Sequence, residues 1–281
     1  YKSEGNIAWQ VTCKRNVETY RGIAVHELAM LLGENTPPQV RQRIANNPNG
    51  PRFITFGPMV GYAVIDIDYA DKHDTLEDAA EQLVQQMLLY NQKLCSSPVE
   101  AMFIGDEKDA KDFISLMKRY IAEQYPSYPI TVDENTAVAL QLERINRMKS
   151  GDFVVAPDNN GPEWTIVLNR SGESFDGHLH FYARPLILET RTGTIDDAVE
   201  RIEHLPNEDS YRGIERVQTV GYLMAEDDVK EFAKRLSQIG VYRVVPLRMM
   251  FYRSMLEPND GEWLPRNLVR FTYLNTKTLG E

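Results

Sequence analysis

From Arg52 onward, short apolar runs alternate with longer amphipathic runs, and this alternation restricts the fold more than any other feature of the chain. "RFITFGPMVGYAVIDID" reads as two apolar strands broken at Gly57-Pro58. "HDTLEDAAEQLVQQMLLYNQ" then reads as an amphipathic helix. Asp74 or Thr75 can cap it, and Leu76, Ala79, Ala80, Leu83, Met87 and Tyr90 share one face. "VEAMFIG" has the texture of a buried strand. "DEKDAKDFISLMKRYIAEQY" and "TVDENTAVALQLERINRMK" are further helices, the second a solvated one with a single buried stripe. From Asp152 the pattern turns to short strands: "DFVVA", "EWTIVLN", "HLHFYA" and "LILET". "TIDDAVERIE" is then helical and "IERVQTVGYLM" extended. "EDDVKEFAKRLSQIG" is helical, with Gly240 as its stop and Glu226, Asp227 and Asp228 where a first turn favours negative charge. "YRVVPL" is one more short strand. Strands separated by helices require crossovers, so the fold class is α/β with a mainly parallel sheet. In such sheets ligands are expected at the carboxyl ends of the strands.

Turn-rich "GENTPPQV" and "NNPNGPRF" bracket a short helical stretch, Gln39 to Ala45, and set the first 50 residues apart from the rest. The whole chain of 281 residues is enough for one large domain or two modest ones. A formal net charge of -10 argues against a nucleic-acid backbone or an anionic membrane as the main partner. No apolar run reaches the length of a membrane span, and the opening "YKSEGNIAWQ" is too polar for a secretory signal. Two cysteines, Cys13 and Cys95, make neither a disulfide framework nor a zinc pattern, so a reducing, cytoplasmic compartment is expected.

Cys95 is the residue that raises a chemical question. It follows a long helix, precedes a buried strand and is itself followed by Ser96, Ser97 and Pro98. A cysteine in such a loop can be presented to a cleft with backbone N–H groups free to donate, as nucleophilic chemistry requires. A small buried residue explains the same position, and proximity to a helix C-terminus works against a thiolate. None of the five histidines is near it in sequence. His178 and His180 share one strand face without a third metal ligand at useful spacing, so an ordinary strand face is the expectation and no metal is assigned. Cys13, beside Lys14 and Arg15, has charge that favours a thiolate but no other sign of a cleft. Walker, HExxH, GxSxG and GxGxxG motifs are absent from the sequence.

Several stretches, in order, resemble the acyl-CoA reductases of the bacterial bioluminescence type (LuxC), a branch of the aldehyde dehydrogenase superfamily. "RFITFGPMVGYAVID" is similar to the strand whose Phe-Gly-Pro turn precedes the catalytic helix. "AAEQLVQQMLLYNQKLCSSP" resembles that helix with its Tyr/Phe-x-Gln-x-x-Cys-x-Ser ending. "VQTVGYLMAEDDVKEFAKRLSQIGVYRV" resembles a later strand and helix, and "VYRVVPLRMM" with "DGEWLPRNLVRF" the closing segment. The resemblance spans about residues 53 to 272 and is most specific from Gln92 to Ser97. It implies an aldehyde-dehydrogenase-like lobe: residues 1–50 as the edge of a cofactor-binding domain, 51–250 as the catalytic domain and 251–281 as a closing segment.

The implied reaction is NADPH-dependent reduction of a fatty acyl thioester, on CoA or an acyl carrier protein, to an aldehyde through an acyl-Cys95 intermediate. Ser96 joins Cys95 as an oxyanion donor through its backbone N–H, and Gln92 orients the thiol or a carbonyl, or is simply a polar helix-end residue. Phe56-Gly57-Pro58 stands where oxidising aldehyde dehydrogenases tend to carry a glutamate, in keeping with an intermediate that no water need hydrolyse. The family's long N-terminal part has no counterpart in this sequence. That implies a fragment, a second subunit completing the cofactor site, or a changed function. A homo-oligomer joined through the C-terminal "LVRFTYLNTKTLGE" is a further expectation. The alternatives are an acylating or ordinary aldehyde dehydrogenase on a short-chain substrate, a lobe that transfers acyl groups without reduction, and a non-catalytic subunit or scaffold with a buried Cys95.

Overall fold

In the computed structural model of the chain, the described residues are 28–32, 52–56, 58–175, 186–211, 213–254, 257–258 and 260–263. Cys13, the 39–45 stretch, His178 and His180, and the C-terminal segment proposed to pair with a neighbour lie outside them. The chain divides into two compact units, Tyr1–Gly57 with Gly261–Glu281, and Pro58–Asp260. In the first unit, β1 (Leu28–Leu32) pairs in parallel with β2 (Arg52–Phe56).

The second unit is built on a seven-stranded sheet. Its strands are β3 (Met59–Asp66), β4 (Pro98–Ile104), β5 (Phe153–Val155), β6 (Trp164–Leu168), β7 (Leu186–Gly193), β8 (Arg216–Leu223) and β9 (Arg243–Pro246). They lie in the order β5-β6-β7-β4-β3-β8-β9, all parallel except the β5–β6 pair. The α/β class and the mainly parallel sheet read from the alternation are therefore present. Among its described residues are the α-helices α1 (Ile67–Lys72), α2 (Leu76–Leu88), α3 (Glu107–Gln124), α4 (Glu134–Lys149), α5 (Ile195–His204) and α6 (Glu226–Gln238). Among the described residues, no helix is long and apolar enough to cross a membrane.

The central strands are apolar on both faces because both are covered. Ala63, Ile65, Ala101 and Phe103 pack against Leu83, Met87, Phe113 and Met117 of α2 and α3. The alternate residues Tyr62, Val64 and Met102 pack with Ile202, Phe232 and Leu236 of α5 and α6. α5 opens with a full capping box: Thr194 accepts from the Asp197 N–H, and Asp197 accepts from the Thr194 N–H. Two helical expectations change. α2 stops at Leu88, and Tyr90, expected on its buried face, has φ 53° and is 65% exposed. The Thr75 hydroxyl caps nothing, because it donates instead to the Ala70 carbonyl. α4 does have one buried stripe, but it is Thr136, Leu140, Arg144 and Arg147, while Val138, Leu142, Ile145 and Met148 face outward. Arg144 is drawn in by the Gly161 and Trp164 carbonyls and the Thr165 hydroxyl, which it ties together.

The core also holds charge. Glu100 of β4 and Glu189 of β7 are register partners and both fully buried. Arg201 grips Glu100 bidentately at 2.7 and 2.8 Å, and the Tyr62 and Tyr211 hydroxyls donate to it. Arg191 bridges the two carboxylates, at 3.2 Å to each. Arg147 lies 3.6 Å from Glu189, and Asn169 donates to it. Burial, and then the neighbouring Glu100 charge, push the Glu189 carboxyl up to about 7.

Candidate active site

The chain reaches Cys95 by an unusual path. After α2 ends at Leu88, Tyr90, Asn91 and Gln92 all adopt left-handed backbone angles, φ 53°, 53° and 55°. Each costs a non-glycine residue about 1–2 kcal/mol, so the surroundings must hold the loop in place. Gln92 does so. Its Nε2 donates to the carbonyls of Pro98 (2.8 Å) and Ile187 (2.7 Å), and its Oε1 accepts from the Ile187 N–H (3.1 Å). One side chain thus pins the loop to the starts of β4 and β7. Gln92→Ala is expected to lower stability by about 2–4 kcal/mol, since each lost bond to a buried backbone group counts about 1 kcal/mol or more. Denaturant unfolding checks this; a loss under 1 kcal/mol would mean the loop holds itself.

Beyond the left-handed turn, the Ser97 N–H bonds to the Leu94 carbonyl at 2.9 Å, and the Leu94 N–H to the Ser97 hydroxyl at 3.3 Å. This tight turn uses neither the Cys95 nor the Ser96 N–H. Ser96 is buried and Cys95 half-buried. The macrodipole of α2 acts over its last turn only, so the intervening loop removes most of its penalty on a Cys95 thiolate.

The site lies at the amino-terminal edge of the sheet, where β4 and β8 begin, and not at the carboxyl ends expected for an open α/β sheet. Two bulges make it. On β4, Pro98 and Glu100 pair with Gly61 and Tyr62, so Val99 is skipped. On β8, Val217 and Thr219 pair with Val60 and Gly61, so Gln218 is skipped. A bulge re-aims the side chain of the extra residue. Gln218, 1% exposed, thereby points its Nε2 at the Cys95 sulfur, 3.0 Å away. The same Nε2 donates to Asp260, while the Gln218 Oε1 accepts from Arg253 Nη2 (2.8 Å) and the Thr219 hydroxyl (3.1 Å). Gly61, between the bulges, bonds through its N–H to the Ser97 carbonyl at 3.0 Å.

The surroundings of the sulfur do not activate it: on balance they hold the Cys95 thiol above its usual value. Burial pushes the Cys95 thiol up; the Gln218 hydrogen bond pulls it down, nearby Asp260 raises it and Arg253 lowers it. Burial also raises the Asp260 carboxyl, against the pull of Arg253 and Gln218.

Of the residues singled out in the sequence, the structure brings Cys95 and Ser96 into one turn and places Gln92 beneath it. Gln218, Arg253 and Asp260 were missed. The one sequence signal for Gln218 is a polar residue inside the otherwise apolar "VQTVGYL".

The sequence model of the acyl-CoA reductase (LuxC) family matches residues 33–273. No curated protein sequence matches the chain. Among solved structures, the chain is similar to an NADP-dependent glyceraldehyde-3-phosphate dehydrogenase from Bacillus halodurans C-125 complexed with NADP (13% identity, TM-score 0.55, covering 84% of this chain and 48% of that one). It is also similar to an NAD-dependent aldehyde dehydrogenase from Sinorhizobium meliloti (13%, TM-score 0.54, 82% and 46%). A third is aldehyde dehydrogenase 21 from Physcomitrella patens (10%, TM-score 0.54, 83% and 46%). The chain thus has an aldehyde-dehydrogenase fold and spans about half the length of these proteins.

Proposed function

The chain belongs to the acyl-CoA reductase (LuxC) family, and from that premise we propose that Cys95 is the nucleophile that takes the acyl group of a fatty acyl thioester on its way to an aldehyde. The observation that carries this reading is the half-buried Cys95 sulfur, offered from a tight turn just past a strained loop, with a fixed N–H donor 3.0 Å away. The thiolate adds to the thioester carbonyl carbon, and the carbonyl π pair moves onto oxygen. The Cys95 and Ser96 N–H groups, left unused by the turn, are the donors assigned to that oxyanion. When the carbonyl re-forms, the carbon–sulfur bond to CoA or a carrier thiol breaks and its electron pair leaves with that sulfur. A thiolate departs without first gaining a proton, so this step needs no adjacent general acid. Tyr90 and Leu94, in the loop that leads to Cys95, and Tyr252, beside Arg253 in sequence, are exposed and suit an apolar acyl chain.

A nicotinamide cofactor, NADPH in the form the family resemblance implies, would supply hydride to the acyl carbon when bound. Among the described residues of Pro58–Asp260, the helix N-termini after the central strands do not fit its pyrophosphate. The helices that follow β3, β4, β7 and β8 open on Asp68; on Glu107 and Asp109; on Asp196 and Asp197; and on Glu226, Asp227 and Asp228. Negative charge at those N-termini repels the phosphates that a helix N-terminus otherwise attracts. The steps assigned to this unit are therefore those of acyl capture.

The test is intact-protein mass after a brief incubation with a long-chain acyl-CoA, for wild type and Cys95→Ala. An acyl adduct on wild type alone is expected. An adduct that NADPH does not discharge would reduce the function to acyl transfer. No adduct, with a Cys95 that thiol reagents cannot reach, would leave a scaffold.

A further inference from the structure

We propose that Gln218 is a catalytic donor to the Cys95 sulfur, and that Arg253 and Asp260 are positioning residues that hold its amide with the N–H toward that sulfur. The inference rests on the reading of Cys95 as a nucleophile. It concerns residues which neither the family match nor the sequence motif assigns.

The argument is one of amide orientation. A glutamine amide can turn end for end, and only one end donates. In this site every polar position of the amide is spoken for by a side chain. Nε2 donates to Cys95 and to Asp260, and Oε1 accepts from Arg253 and Thr219. Turning it over would set Oε1 against the Asp260 carboxylate and the NH2 group against the Arg253 guanidinium. Both contacts would be repulsive, so the donor end faces sulfur. The β8 bulge at residue 218 supplies the aim, and 1% exposure keeps water from competing for the bond.

Asp260 is otherwise hard to explain. Its charge disfavours a thiolate nearby, so an acidic residue there works against the nucleophile. Its benefit is geometric: it is the acceptor for the second N–H. Arg253 adds the opposite charge, 4.0 Å from Asp260, and is itself held by Glu257 at 3.4 Å. The donor serves the chemistry twice. It stabilises the sulfur's negative charge before attack. It does so again whenever the acyl carbon–sulfur bond breaks and the electron pair returns to Cys95.

The test is the pH profile of Cys95 alkylation by iodoacetamide on the full chain, with the rate of acyl adduct formation from a long-chain acyl-CoA measured beside it. Gln218→Met, which keeps the side chain's length but removes the donor, is expected to raise the alkylation midpoint by about one pH unit and so leave roughly tenfold less thiolate at a fixed pH below it. Arg253→Met is expected to raise it as well. Asp260→Asn keeps an acceptor oxygen and removes the charge, so it is expected to lower the midpoint. A residue that only supports the fold has no reason to produce this pattern of signs. A Gln218→Met midpoint equal to that of wild type overturns the proposal. If Gln218→Met does not fold, equal or same-direction shifts in Arg253→Met and Asp260→Asn overturn it instead. An adduct on wild type with no midpoint shift removes the clamp and leaves acyl capture standing. The full pattern without an adduct keeps the clamp and removes acyl capture.

Discussion

Arg201→Met is expected to destabilise the protein by about 3–5 kcal/mol, the range for breaking a buried ion pair from one side. Arg201 supplies both guanidinium contacts of the bidentate grip on Glu100, a fully buried carboxylate. Burial works against the charge on Arg201, and the Glu100 carboxylate more than offsets it, holding the guanidinium proton tighter than usual. Without Arg201, Glu100 keeps Arg191 and two tyrosine hydroxyls but shares Arg191 with Glu189.

The neighbouring carboxylate should behave in the opposite way. Glu189 has a folded value of about 7, above its unfolded one. The native state therefore binds more protons than the unfolded chain between about pH 4.5 and 7, and stability falls as pH rises through that window. Glu189→Gln removes this loss. Its stability relative to wild type should climb from about pH 4.5 and level off above 7. Denaturant melts of wild type and both variants at several pH values decide the matter. A loss below 1 kcal/mol for Arg201→Met, or a flat difference for Glu189→Gln, would mean that the cluster's charges are solvated.

These two carboxylates also show where sequence reading stops. The fold was legible because buried strands advertise themselves: "VEAMFIG" and "LILET" are apolar enough to read as strands despite one glutamate each. What the glutamates do was not legible, since their partners come from β3, β7, α4, α5 and the loop that follows β6. Tyr90 was placed on a helix face because helical spacing continues past Leu88, while a departure into left-handed angles leaves no trace in the spacing. The site divides the same way. Cys95, Ser96 and Gln92 sit together in the chain and could be seen in one motif. Gln218 lies 123 positions from Cys95, and Asp260 a further 42. A bulge decides which way Gln218 points, and a bulge is a property of pairing between strands rather than of either strand's own sequence.

Gly61→Ala is expected to cut acyl capture by Cys95 at least about 100-fold while most of the fold survives. Gly61 sits where the strand runs directly under the Cys95 turn. A Cβ there would stand 2.7 Å from both the Ser97 carbonyl oxygen and the Ser96 carbonyl carbon, and closer still to the Ser96 oxygen. All three are backbone atoms, so no rotamer change relieves the clash. Either β3 gives way or the turn moves. β3 is paired on both sides, to β4 and β8, with fully buried residues from Tyr62 to Ile65. The turn is the softer partner, since it hangs from the strained loop at Tyr90–Gln92 and rests on Gln92 and on the Gly61–Ser97 hydrogen bond. Overpacking of this kind costs about 1–3 kcal/mol, which a stable domain survives. A displacement of about 1 Å at a reacting atom, by contrast, costs about 100-fold in rate. Stopped mass measurements of adduct formation, beside circular dichroism melts, separate the two effects. A variant that keeps its melting temperature within a few degrees and loses adduct formation would place the turn's position, and not the fold's stability, in control of Cys95. Wild-type adduct rates in Gly61→Ala would mean that the turn can move without moving the sulfur.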